Sequence, residues 1–139
     1  SGSKTRHRKK KTERPSMSFA HFTLATRDPQ KTGAFFEATM GYRQIETPEN
    51  SPRDLCWLEI TPEQQIHLVR VDDFEISAHE KEFGRHIALF HDLEDFDGLK
   101  QRLVDNGARL IEPLRETPHQ RFFFETPEGY LFEIIQNPD

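Results

Sequence analysis

His21 stands in Phe-Ala-His-Phe-Thr-Leu, and 46 residues later His67 stands in Gln-Ile-His-Leu-Val. His86 stands in Gly-Arg-His-Ile-Ala-Leu, and 47 residues later Glu133 stands in Tyr-Leu-Phe-Glu-Ile-Ile. Three imidazoles and a carboxylate at matched intervals make a mixed nitrogen and oxygen donor set. Such donors suit a divalent ion, Fe, Mn, Ni, Co or Zn, and their types favour no single one. Four protein ligands on an octahedral ion leave two positions for water or substrate, and an open position separates catalytic from closed structural sites. The matched spacing implies one site shared by two copies of one motif.

Each half also carries an Asp after its first His, at Asp28 and Asp92, and a glycine 20 or 21 residues after that His, at Gly41 and Gly107. Phe19 to Ala25 alternates apolar and polar positions, which predicts a strand. Asp28-Pro29 reads as an N-cap followed by a first-turn proline. Ala34, Phe35, Ala38 and Thr39 recur at helical spacing, and Gly41 ends that helix. A strand over Tyr42 to Glu46 follows, then a hairpin of Leu55–Ile60 and Gln65–Val71 around Thr61-Pro62-Glu63-Gln64. The second half repeats the order. It has a strand from His86 to Phe90 and a helix from Leu93 to Asn106 with Phe96, Leu99, Leu103 and Val104 inward. A strand at Arg109–Ile111 and a closing hairpin of Arg121–Glu125 and Tyr130–Gln136 complete it. Residues 72 to 84 connect the halves without a periodic signal.

The fold class is therefore α+β, two tandem β-α-β-β-β modules over about 18–71 and 85–137. Each helix needs an apolar sheet face beneath it. Phe22, Leu24, Leu58, Ile60, Ile66, Leu68, Ile87, Leu89, Phe122, Phe124, Phe132 and Ile134 supply those faces. Alternation then sends His21, Trp57, Glu59, His67, His86, Arg121, Phe123 and Glu133 to the opposite faces. Trp57 and Phe123 are expected to wall a substrate pocket, with the apolar lining such sites show. Arg121 is expected at the same pocket, holding an anionic group or a structural salt bridge.

The 139 residues suffice for one domain with a core. No run of 18 apolar residues is present, so no membrane span is expected, and no segment reads as a secretory leader. Cys56 is the single cysteine, which excludes an internal disulfide and a cysteine-based zinc cluster and fits a reducing compartment such as the cytoplasm. Residues 1 to 17 form a basic tail with seven Lys or Arg and one Glu, expected to be disordered. Against a net charge of −5 for the whole chain, the body is acidic, which argues against nucleic acid as the main partner.

The paired β-α-β-β-β units, with His21, His67, His86 and Glu133 where they stand, resemble the vicinal oxygen chelate superfamily. That superfamily includes glyoxalase I, methylmalonyl-CoA epimerase, extradiol dioxygenases, thiol transferases for fosfomycin and bleomycin-binding proteins. Phe123-Phe124-Glu125-Thr126-Pro127-Glu128-Gly129-Tyr130 resembles its closing hairpin, with Thr where Asp is common. The resemblance implies a cup-shaped mixed sheet around one metal, a small substrate with vicinal oxygens, and a homodimer. It also implies that either one chain or two exchanging chains build the cup. His67 falls where glyoxalase I has Glu and the epimerase Gln, which puts ordinary glyoxalase I activity in doubt. Glu59 aligns with a third-strand Glu that acts as a base in the epimerase; Glu133 is the other candidate for moving protons.

Lyase or isomerase chemistry is the first expectation. The second is an extradiol-type Fe(II) dioxygenase, because His21, His86 and Glu133 spell two His and one carboxylate. His119 and Tyr130 are its proton-handling candidates by type alone. A small-molecule binding protein without turnover is the alternative from another class.

Overall fold

The computed structural model describes residues 17–138. The basic tail, His7 included, falls outside them but for Met17. Eight strands and two helices follow one another as the alternation predicts: β1 (His21–Thr26), α1 (Pro29–Met40), β2 (Arg43–Ile45), β3 (Leu55–Thr61), β4 (Gln64–Arg70), β5 (Ile87–His91), α2 (Phe96–Asp105), β6 (Arg109–Ile111), β7 (Arg121–Glu125) and β8 (Leu131–Gln136). The strands form two four-stranded sheets, β1-β4-β3-β2 and β5-β8-β7-β6. In each, one parallel pair joins two antiparallel ones. The tandem α+β architecture is as expected. No helix among the described residues is long and apolar enough to cross a membrane.

Local signals act where the sequence puts them. Asp28 Oδ1 accepts the Lys31 backbone N–H at 3.1 Å, and Pro29 occupies the first turn of α1. Gly41 ends α1 at φ +75°, a conformation that suits a residue without Cβ. The second helix differs in its start. Leu93–Asp95 is a 3-10 turn, and the α-helix begins only at Phe96. Two apolar assignments also shift. Phe36 is fully buried while Ala34 and Ala38 are exposed, because two large rings at 35 and 36 turn α1 toward themselves. Val104 is exposed too, since Leu99 and Leu103 already complete the inward stripe of α2.

The helix-side residues of both modules form one core. Phe132 on β8 packs 6.2 Å from Phe22 on β1 and 5.5 Å from Phe36 on α1, centroid to centroid. Phe35 stands 6.4 Å from Phe124, and Arg102 on α2 donates to the Thr39 carbonyl on α1 at 2.9 Å. Polar pins join the modules as well. Glu128, in the turn before β8, accepts from Thr26 at 2.7 Å and Thr32 at 3.0 Å. Because the helix-side faces share this core, the other two faces lie on its far sides.

Candidate metal centre

Strand parity places the expected residues on those outer faces. The first sheet carries two rows across its strands. Arg43, Glu59, Gln65 and His21 are register partners in one, and Ile45, Trp57, His67 and Thr23 in the other. The second sheet pairs Phe123 with Glu133, and Glu133 with Ala88, two residues beyond His86. All eight side chains share the expected faces. They gather as two half-sites, and among the described residues no three His, Cys, Asp or Glu converge on one point within the chain. His21 and His67 thus stand in one half-site, and His86 and Glu133 in the other.

The His86 half-site has the electronics of an ion site. His86 Nδ1 lies 3.2 Å from the Lys81 carbonyl, which can only accept, so Nδ1 carries the hydrogen. In the neutral ring Nε2 then holds a lone pair, and it faces Glu133 Oε1 at 3.2 Å. A metal ion between the two atoms would satisfy both; with Nε2 protonated the same contact is an ion pair. Ligand atoms about 2.1 Å from one ion and at right angles to each other stand about 3.0 Å apart, close to the separation observed. A carbonyl fixing the tautomer of a ligating His is the usual arrangement behind a metal ligand. The donor set fits a divalent ion.

Glu133 is 7% exposed and has a second partner, Arg121, whose Nη1 donates to Oε2 at 3.0 Å. The Arg121 side chain is itself buried and also reaches Glu82 Oε2 at 3.2 Å. Its charge is thus matched by two carboxylates rather than held free for a substrate anion. Phe123 supports the group from below, 5.2 Å from His86 edge-on and 5.5 Å from the Arg121 guanidinium.

The first half-site is a stack of rings. Trp57 lies 3.7 Å from His67 at 3°, and His21 lies 3.8 Å from its other face at 18°. His67 Nε2 is 2.8 Å from Gln65 Oε1, an acceptor, so that nitrogen carries the hydrogen. Burial, with His21 adding to it, pushes the His67 pKa down to about 4 and keeps the ring neutral. Parallel stacked rings direct their nitrogens side by side rather than toward one centre. His21, the more exposed, stands at the open end of the stack. Glu59 pairs with Arg43 at 2.9 Å.

Other candidates sit elsewhere. His119 is exposed, and the Tyr130 hydroxyl donates to the Ala25 carbonyl at 2.7 Å. A cavity of about 530 Å³ lies beside α1 and the turn before β8, lined by Arg27, Lys31, Phe35 and Pro127 among others, and includes no donor of either half-site. Sequence reasoning missed Gln65 and Glu82. Gln65 was available from alternation, two residues before His67; Glu82 lies in the connection that carries no period.

The family model of the Glyoxalase/Bleomycin resistance protein/Dioxygenase superfamily matches residues 18–134. Among curated proteins, none matches the sequence. The fold is similar to a glyoxylase/bleomycin resistance protein/dioxygenase domain from Frankia sp. EAN1pec, at TM-score 0.72 and 16% identity, over 88% of this chain and 93% of that one. It is similar to the fosfomycin resistance protein FosX from Mesorhizobium loti, at TM-score 0.66 and 19% identity over 86% and 91%. A variant of FosX from Listeria monocytogenes, solved with Mn(II) and 1S,2S-dihydroxypropylphosphonic acid, aligns at TM-score 0.69 and 21% identity over 86% and 92%.

Proposed function

We propose that this chain, which belongs to the Glyoxalase/Bleomycin resistance protein/Dioxygenase superfamily, is a metal-dependent enzyme for a small substrate with adjacent oxygens. The observation that carries this is His86 Nε2 facing Glu133 Oε1 at 3.2 Å, with that carboxylate already ordered by Arg121. The half-sites lie on opposite sides of a shared core, so a second copy of the chain supplies the missing part. In that homodimer His86 and Glu133 of one chain meet His21 of the other. His67, expected as a fourth ligand, instead stacks on His21 and orients it. A bound ion would supply Lewis-acid polarisation of the substrate's oxygens. The Listeria FosX ligand, a diol by name, carries adjacent oxygens of this kind and was solved beside Mn(II).

The chain's own groups divide the remaining work. Glu133 has Arg121 on one oxygen and His86 on the other, so it is poorly placed to accept a proton. That role falls to Glu59, which register sets in the same row as His21 and which pairs with Arg43 at 2.9 Å. Trp57 backs His67 and Phe123 backs His86 with apolar surface. The reaction is a lyase- or isomerase-type proton transfer.

His21, His86 and Glu133 make two His and one carboxylate, and this favours one second reading, an extradiol-type Fe(II) dioxygenase. Elemental analysis of protein purified without added metal or a histidine tag tests both. About one equivalent of a divalent ion per chain, lost in His86→Ala and in Glu133→Ala, is the expected result. Iron, with oxygen uptake on a catechol, would put the dioxygenase first. No metal after reloading with iron, manganese, nickel and zinc would leave a ligand-binding protein without turnover.

A further inference from the structure

We propose that Arg121 is a positioning residue that holds one oxygen of Glu133 and leaves only the other to an ion. The inference rests on the metal reading above. Arg121 opens β7 on the same face as Phe123 and Glu133, and its side chain is 4% exposed. A guanidinium so buried must be neutralised nearby. Nη1 donates to Glu133 Oε2 at 3.0 Å, and Nη2 donates to Glu82 Oε2 at 3.2 Å and to the Arg115 carbonyl. Only Nε is without a partner among the described residues.

Glu82 keeps the arginine from following Glu133. Its oxygens accept the backbone N–H groups of Leu114 at 2.7 Å and Arg115 at 3.1 Å. The guanidinium is thereby tied to the segment before β7 directly at the Arg115 carbonyl and indirectly through Glu82, and to Glu133 at one point. Glu133 Oε2 is occupied, and Oε1 turns to His86 Nε2 at 3.2 Å. An ion there gains one carboxylate oxygen instead of two, which preserves a further coordination position for water or substrate. The fixed positive charge also weakens the pull of Glu133 on a second cation.

Mn(II) titration of the full chain at pH 8, read by electron paramagnetic resonance and water-proton relaxation, tests this. Arg121→Met is expected to bind Mn(II) about tenfold tighter, because it frees the second oxygen and removes a like charge beside the ion. It should also lower the relaxation per bound ion, because the second oxygen displaces a water. Arg121→Lys should return both values toward those of the unsubstituted chain. Glu82→Gln, which frees more of the arginine's charge for Glu133, should bind Mn(II) more weakly, and it keeps the test alive where Arg121→Met does not fold. Folded Arg121→Met with unchanged or weaker binding, or Glu82→Gln with unchanged binding, would overturn the role. An unsubstituted chain that binds no Mn(II) would overturn the metal reading itself, and this role with it.

Discussion

The His67 ring is covered on one face by Trp57 at 3.7 Å and on the other by His21 at 3.8 Å, with its Nε2 hydrogen given to Gln65. A phenyl ring fills the same slot and keeps both stacks. His67→Phe should therefore retain bound metal, whereas a true fourth ligand would take much of the affinity with it; elemental analysis beside His86→Ala decides. His67→Ala empties the slot and should cost about 2 kcal/mol or more in urea unfolding. The residue types and faces of this site could be read in the sequence, because a period of two fixes which side each strand residue takes. The employment of each nitrogen could not. It depends on Gln65 and on the Lys81 carbonyl, partners that no donor-type pattern announces.

Elements were legible where one residue controls the backbone. Asp28, Pro29 and Gly41 bound α1 as their chemistry requires, and the closing hairpin starts and stops within a residue of the expected positions. Gly41 at φ +75° has no atom near a Cβ built on it, so Gly41→Ala meets backbone strain alone and should cost about 1 kcal/mol by urea unfolding. The phase of α1 was not legible, since adjacent phenylalanines compete and only the tertiary core chooses between them. Nor was the late start of α2. There Asp95 accepts from Arg102 at 2.8 Å and from His91 at 2.8 Å, which ties the helix entry to the end of β5. The Arg102 bond chiefly, then the His91 bond, holds the Asp95 carboxyl down to about 2 from its ordinary 3.8. With the folded value depressed, the unfolded chain takes up the proton first as pH falls. The stabilisation is whole above the ordinary value and disappears toward pH 2. Asp95→Asn should flatten that acid limb when denaturation midpoints are compared between pH 5 and pH 2.

At the scale of the whole molecule, what decides the site is which sheet faces share the core. The repeat announces two modules, but either pair of faces could have met, and sequence alternation treats the cases alike. Phe132 against Phe22 and Phe36 settles it for this chain: the helix-side faces join and the donor-bearing faces part. Phe132→Ala, at the junction of the modules, should cost about 3–5 kcal/mol and lower one common unfolding transition rather than one of two. The same separation makes the homodimer testable by complementation. His21→Ala leaves His86 and Glu133 intact, and Glu133→Ala leaves His21 intact, so each homodimer lacks a complete site. A mixed dimer has one site with all of its ligands and one with two removed. Random exchange makes half of the dimers mixed, so co-refolding the two variants should restore about a quarter of the bound metal. Were His21 and Glu133 to serve the same site from the same chain, no mixture would restore any.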